Sequence, residues 1–281
     1  MSSWNKSIHR VQSPRNKDTY VSVMLQGGLG NRIFQIFAGQ HFAEKTGRKF
    51  VVHKDYIHDN SHETSEDTMN QLMQLFPSLT FYTGNPIEWT MIEEEVFMTF
   101  QYQPDIFKRF PGRNILLKGY FQNSNYFPKE IPFFQNSDRY SNYFLHIRLG
   151  DYVNTSLDID LRNYYKSCIS KILKDNTTSQ FLIFSDEPEI ADTYLKSLNL
   201  PFRYSFSSAK SSLDVLKEMA ACSGGICANS SLSWLGGFFQ KPRGQIFMPS
   251  EWMKGMNKNQ LNGFHPLWAT VMETRAPTPR F

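Results

Sequence analysis

The sequence predicts an α/β protein built in two halves on parallel sheets, and two observations carry that prediction. Short apolar runs alternate with stretches of helical periodicity along most of the 281 residues, the pattern of strands joined by crossover helices. Polar clusters also follow several of these runs directly, where open parallel sheets hold their ligands, beyond the carboxyl ends of strands.

The first unit is VSVMLQGGLGNRIFQIFAGQHFAEKTG, residues 21 to 47. Val21, Val23 and Leu25 suit a strand, while Ile33, Phe34, Phe37, His41 and Phe42 recur at the spacing of an amphipathic helix that Gly47 ends. Between them Gly27, Gly28 and Gly30 can take positive φ and let backbone amides approach an anion, and Asn31 is placed to cap the helix. Phosphate is the first ligand this arrangement suggests. The loop lacks the Gly-Lys-Ser/Thr ending of a nucleoside-triphosphate cradle, and Ile33 stands where a dinucleotide fingerprint wants glycine. A tight turn without a ligand accounts for the glycines, taken alone, equally well.

KFVVHKDY reads as a second strand, and the polar HDNSHETSEDTMNQ after it as a loop or inserted excursion. His53, His58 and His62 are irregularly spaced in hydrophilic surroundings, so surface histidines are preferred to a metal site. A mixed stretch containing ILLKGYFQNSNYFP follows. Pro128 and Pro132 then punctuate the chain, placing a linker near residues 128 to 140 and dividing the protein into halves 1–135 and 136–281.

The second half repeats the rhythm: NYFLHIRLGDYV, DLRNYYKSCISKILKD, QFLIFSDEPEIADTYLKSL, SLDVLKEMAACSG, GICANSSLSWLGGFF and GQIFMPSEW. Four polar clusters therefore sit at strand ends: the glycines after VSVML, HIRLGD, SDE and NSSLSW. Arg148 offers a permanent planar fork suited to phosphate, and a charge-assisted bond of that kind contributes roughly 1.5–3 kcal/mol. His146 lies on the same side of its strand as Arg148, with Ile147 on the other. Asp151 is near enough to orient Arg148 or to act as a base. Ser185, Asp186 and Glu187 sit where caps are needed, and Asn229, Ser230 and Ser231 stand before an apolar helix whose free amides could hold an anion. Trp234 reads as core.

Composition narrows the classes. A net charge of +4 over 281 residues, with the cations scattered, does not indicate nucleic acid. Cys168, Cys222 and Cys227 form no C-x-x-C pair and read as buried thiols in a reducing compartment. No apolar stretch approaches the ~20 residues of a membrane span, and the polar opening MSSWNKSIHRVQSPRNKD has no signal-peptide core, so a soluble, cytoplasmic protein is expected.

GGLGNRIFQ, GYFQNSNYF, HIRLGDYV, FLIFSDE, SLDVLKEMAACSGGICANSSLSW and PSEWM occur in an order and spacing that resembles the α-1,2-fucosyltransferases of glycosyltransferase family 11. The resemblance runs from about residue 21 to 255. It implies two facing Rossmann-like domains of GT-B type with GDP-fucose in the cleft between them, inverting transfer of fucose to a hydroxyl of a glycan acceptor, and no metal. Gly28, Leu29, Gly30 and Asn31 match the loop facing the donor pyrophosphate and sugar. His146 and Arg148 match a nucleotide-contacting pair, Arg148 on the β-phosphate. Asp214 matches an acidic residue that recognises guanine, Ser230 and Ser231 match hydroxyls near the phosphates, and Asp186, in the FLIFSDE motif, is the loosest match of the donor-binding set. Asp151 is the general base that position favours, although pairing with Arg148 would make it a weak one.

Two positions depart from the family pattern. Arg32 replaces the usual glutamine of Gly-Asn-Gln, and Leu149 replaces the second of two adjacent arginines, so Arg32 is a candidate to supply the lost charge from the facing domain. Three other readings stay open: a non-catalytic GDP-sugar or glycan-binding module, a transferase using another GDP-deoxysugar, and an unrelated nucleotide-binding α/β protein. Asp158-Ile-Asp160 has the form of a metal-binding Asp-x-Asp pair. It follows NTSL rather than an apolar strand and precedes a helical pattern, so a helix-start cap is preferred.

Overall fold

In a computed structural model of the chain, residues 18–59, 64–82, 84, 87–94, 100–131, 140–240, 243–256, 258–261 and 263–275 are described. The first half carries β1 (Tyr20–Val23), α1 (Leu29–Thr46), β2 (Lys49–Phe50), β3 (Val52–His53), α2 (Ser65–Leu75), β4 (Phe81–Tyr82), β5 (Trp89–Glu93) and β6 (Asn114–Lys118). The second carries β7 (Tyr143–Ile147), α3 (Arg162–Asp175), β8 (Gln180–Ser185), α4 (Pro188–Ser197), β9 (Arg203–Phe206), α5 (Ser212–Ala221), β10 (Gly224–Ile226), α6 (Ser231–Phe238), β11 (Ile246–Pro249) and β12 (Ala269–Met272). Strands of the first half form a four-stranded sheet in the order β2-β1-β6-β5, and those of the second a six-stranded sheet in the order β12-β11-β10-β7-β8-β9. Every pairing within the two is parallel, and the expected linker falls largely on residues 132–139, outside those described.

The strand order creates the site. In the second sheet the chain runs outward from β7 through β8 to β9, then returns to β10 on the other side of β7. The crevice between β7 and β10 is thus the switch point of that sheet, where parallel sheets bind ligands. In the first sheet the central neighbours are β1 and β6, and the glycine loop follows β1.

What joins the halves is aromatic. Phe34 of α1 packs on Trp234 of α6 with ring centroids 5.1 Å apart, Phe127 on Phe238 at 5.0 Å, and Phe37 on Phe239 at 6.4 Å. One continuous buried cluster runs from Val21 and Phe37 to Trp234 and Met248. A second, around Tyr164, Ile169 and Phe181, fills the opposite face of the six-stranded sheet under α3 and α4. Trp234 is core, as its apolar setting predicted, and each such buried side chain contributes roughly 1.5–3 kcal/mol. All three cysteines are buried and free.

Three local expectations are corrected. The second strand is broken: Lys49–Phe50 pairs with β1, whereas Val52–His53 pairs with β4 in a separate two-stranded sheet. The polar excursion becomes helix from Ser65. Thr64 and Asp67 form a reciprocal capping box, and Thr68, Leu72 and Leu75 supply the buried stripe, a spacing that the surrounding polarity masked. Asn31 does not cap α1. Gly28 holds the N-cap position in extended backbone, and of the three loop glycines only Gly27 has positive φ, at 75°.

Candidate active site

Gly30 has a different reason to be glycine. A Cβ built there would lie 2.5 Å from Leu232 N and 2.6 Å from Ser231 Oγ, because the N-termini of α1 and α6 meet at this point. Two helix ends with unpaired amides converge from opposite halves, each equivalent to roughly half a positive charge. Asn31 ties them together: its Oδ1 accepts hydrogen bonds from Ser231 Oγ and from Gln122 Nε2, both at 2.7 Å.

Around these helix ends lies a cavity of about 340 Å³ lined from both halves, by Gly27 to Asn31 and Tyr120 on one side and by His146, Arg148, Asp151, Tyr152, Ser230 and Ser231 on the other. Arg148 is the cation among its lining side chains. The β7–β8 register sets Ile147 opposite Ser185, so the next residues, Arg148 and Asp186, are neighbours. Arg148 Nε donates to Asp151 Oδ1 at 2.8 Å and lies 3.3 Å from Asp186 Oδ2, and Nη2 lies 2.8 Å from Asp151 Oδ1. Nη1 keeps no protein partner among the described residues. Burial disfavours the charge, but the Asp151 hydrogen bond and the nearby Asp186 outweigh it and hold the guanidinium above its ordinary value.

Asp186 does not line the cavity. Its two carboxylate oxygens accept from Leu149 N and Gly150 N, each at 3.0 Å, so it fixes the turn that presents Arg148. His146 is 4% exposed and lines the cavity. Burial first, and the adjacent Arg148 second, push its pKa down to about 3. It is therefore neutral at physiological pH, and its Nδ1 has no partner among the described residues. Tyr152 packs beneath Arg148, which sits 5.7 Å from the ring centroid, and donates to Asn229 O at 3.1 Å. Burial raises its hydroxyl pKa to about 12.

Asp214 lies in the first turn of α5, bonded to Ser211 Oγ at 2.6 Å. It lines a neighbouring cavity of about 460 Å³ with Lys210, Ser212 and the α2 residues Asp67, Asn70 and Gln74. Ser212 borders both cavities, so they adjoin. Arg32 cannot replace a cleft cation. Its side chain is fully buried and donates to His58 O at 2.8 Å, and Leu149 packs into the apolar cluster under α3. Asp158 pairs with Lys254 at 3.3 Å and Asp160 with Arg162 at 2.9 Å; Asp160 also accepts from Arg162 N at 3.1 Å at the start of α3.

Tyr120, Gln122 and Tyr152 were not singled out by sequence. Tyr120 and Gln122 follow the apolar run ILLK as directly as the glycine loop follows VSVML, so the same strand-end rule locates them.

No family model matches the sequence, and no curated protein does. Among solved structures, the ADP-heptose lipopolysaccharide heptosyltransferase II of E. coli aligns over 90% of this chain and 90% of its own, at 10% identity and a TM-score of 0.50. POFUT1 in complex with GDP aligns over 90% and 98% at 11% identity and 0.47. The fucosyltransferase NodZ from Bradyrhizobium aligns over 80% and 93% at 11% and 0.42. At these identities the likeness concerns the fold alone. The chain has a GT-B-type α/β fold, that of the heptosyltransferase it matches, with parallel sheets and a cleft between its halves. No helix among the described residues is long and apolar enough to cross a membrane.

Proposed function

We propose that the protein is a glycosyltransferase that moves fucose from GDP-fucose to a hydroxyl of a glycan acceptor with inversion, forming an α-1,2 linkage and needing no metal. The observation that carries this reading is the convergence of two helix N-termini and Arg148 on one interdomain cavity. Three fixed positive ends there fit a pyrophosphate, whose negative charge grows as a glycosidic bond breaks. The ordered sequence motifs supply the identity of the donor, and the α/β cleft is the setting in which such donors bind.

The acceptor oxygen attacks the anomeric carbon, forming the new C–O bond. The bond from that carbon to the β-phosphate oxygen breaks, and GDP departs with the electron pair. Arg148 Nη1 and the amides at the starts of α1 and α6 stabilise the oxygen on which charge accumulates. Asp151, with Oδ1 held by Arg148, takes the acceptor proton on Oδ2. His146, neutral, offers a hydrogen bond without adding charge. Guanine sits in the adjoining cavity: Asp214 accepts from its N1–H and N2–H₂ and Lys210 reaches O6 or N7, a donor and acceptor pattern that adenine lacks.

The apolar side chain of Leu149, where a second arginine is usual, favours one other reading, a non-catalytic GDP-sugar-binding module. Titrating the protein with GDP-fucose, GDP-mannose, ADP-heptose and free GDP, followed by transfer onto a glycan array, separates the two. GDP-fucose turnover above background supports the transferase. Equal binding of ADP- and GDP-linked donors contradicts the base assignment, and binding without hydrolysis or transfer leaves the module.

A further inference from the structure

Beside the phosphate-side cavity, and sharing Asn31, Tyr120, Tyr152, Leu157 and Ser231 with it as lining, lies a smaller one of about 250 Å³. Its remaining lining is Gln122, Asn229 and Trp252. None of these eight side chains carries a charge at neutral pH, in contrast to the compartment that holds Arg148. The cavity is walled by the Trp252 and Tyr120 rings and Leu157 and edged by amides and hydroxyls. It suits a neutral ring with hydroxyls and an apolar methyl, and excludes a phosphate.

Gln122 distinguishes this compartment from a packing gap. It is 4% exposed, and its Nε2 is committed to Asn31 Oδ1 at 2.7 Å. Asn31 Oδ1 also accepts from Ser231, and the Gln122 amide turns its nitrogen to that same oxygen. Its oxygen is then left facing elsewhere, and Oε1 is buried with no hydrogen-bond partner among the described residues. A buried acceptor without a donor is destabilising unless something supplies the proton.

We infer that this compartment receives the transferred sugar of the donor, and that Gln122 Oε1 accepts a hydrogen bond from one of its hydroxyls. The inference rests on the GDP-sugar reading above and adds a residue that selects the sugar. A ring tethered to the pyrophosphate is within reach of it, because the same five residues line both cavities. A site built to bond a hydroxyl discriminates strongly against a ligand lacking it, since its own polar atom is then left unpaired. Gln122 therefore separates GDP-fucose from GDP, and fucose from sugars that turn that hydroxyl away.

The test is calorimetric titration of wild type, Gln122→Leu and Ser231→Ala with GDP and with GDP-fucose, without acceptor. Gln122→Leu also removes the Nε2 bond to Asn31, an effect that falls on both ligands alike, so GDP-fucose should weaken by about 10- to 100-fold more than GDP does, the loss expected for one buried hydrogen bond. Ser231→Ala removes the other bond to Asn31 but leaves Gln122 Oε1 in place. It should shift both ligands by a similar factor, as a purely structural perturbation of the network would. Gln122→Met is measured the same way should the leucine variant unfold. Equal weakening of GDP and GDP-fucose in the Gln122 variants, or no weakening of either, overturns the inference and shows that Oε1 serves only the network or a water. Failure of the wild-type protein to bind GDP-fucose overturns the donor reading itself, and this assignment with it.

Discussion

Ser231 Oγ donates to Asn31 Oδ1 across 2.7 Å, joining residues 200 positions apart in sequence. The bond brings the first turn of α1 against the first turn of α6. Each half of the protein supplies one helix terminus to the cavity proposed to hold the pyrophosphate, and neither half lines that cavity alone.

Gly30→Ala tests this closure. In an ordinary helix the change would gain about 1 kcal/mol, but here the new methyl meets the Leu232 and Ser231 backbone and the two termini must part. The variant is expected to melt lower than wild type and to lose most GDP affinity. Gly28→Ala, whose Cβ meets nothing within 4 Å, should melt like wild type. Unchanged melting and GDP binding in Gly30→Ala would show that the contact is not needed.

Asp151→Asn separates a proton acceptor from a residue that only orients Arg148, because asparagine keeps an oxygen for the guanidinium. Loss of the base should cut turnover by about 10²–10⁴-fold with donor affinity nearly unchanged. A rate within about tenfold of wild type would assign Asp151 to positioning alone.

Chelation should leave turnover unchanged, since Arg148 and helix-end amides meet the charge on the leaving group. Asp158 and Asp160 are each engaged by a cation, Lys254 and Arg162. Activity lost in EDTA and restored by Mn²⁺ would contradict this and return that pair to consideration.

Stability should fall as pH drops from about 7 towards 5. Burial lowers the pKa of His41, His146 and His265 in the folded protein. Below about 6.5 the unfolded chain therefore takes up protons that the folded chain refuses. With its pKa at about 3, His146 contributes on the order of 2 kcal/mol of that loss. In His146→Gln the decrease in melting temperature between pH 7 and 5 should be visibly smaller. The same decrease in both proteins would show that His146 titrates normally.

Much of this was legible in the sequence because strand ends announce themselves. The apolar runs VSVML, NYFLHI and GICA each stop at residues that the fold gathers into one cleft, and Arg148, His146, Ser230 and the glycine loop were found on that rule. Pairing was not legible. That Asp186 would grip the Leu149–Gly150 turn, or that Arg32 would be buried beside His58, depends on strand register and helix packing that no local spacing encodes. The roles of Gly30 and Asn31 were misread for the same reason: conformational freedom and capping are local properties, whereas both residues answer to a helix 200 positions away. The α2 helix was missed although Thr64 and Asp67 carry a capping signature, because the polar residues around it hid a stripe of only three buried positions.

The most direct test of the central claim is steady-state release of GDP from GDP-fucose, in the presence of a glycan acceptor, by wild type, Arg148→Ala and Arg148→Lys. The account predicts that Arg148→Ala folds and loses about 10²–10³-fold in turnover. Arg148→Lys should recover little, because a point charge on a flexible stem does not replace a planar fork held by Asp151 and Asp186. An Arg148→Ala protein with wild-type turnover would contradict the assignment of this cleft as the place where the sugar is transferred.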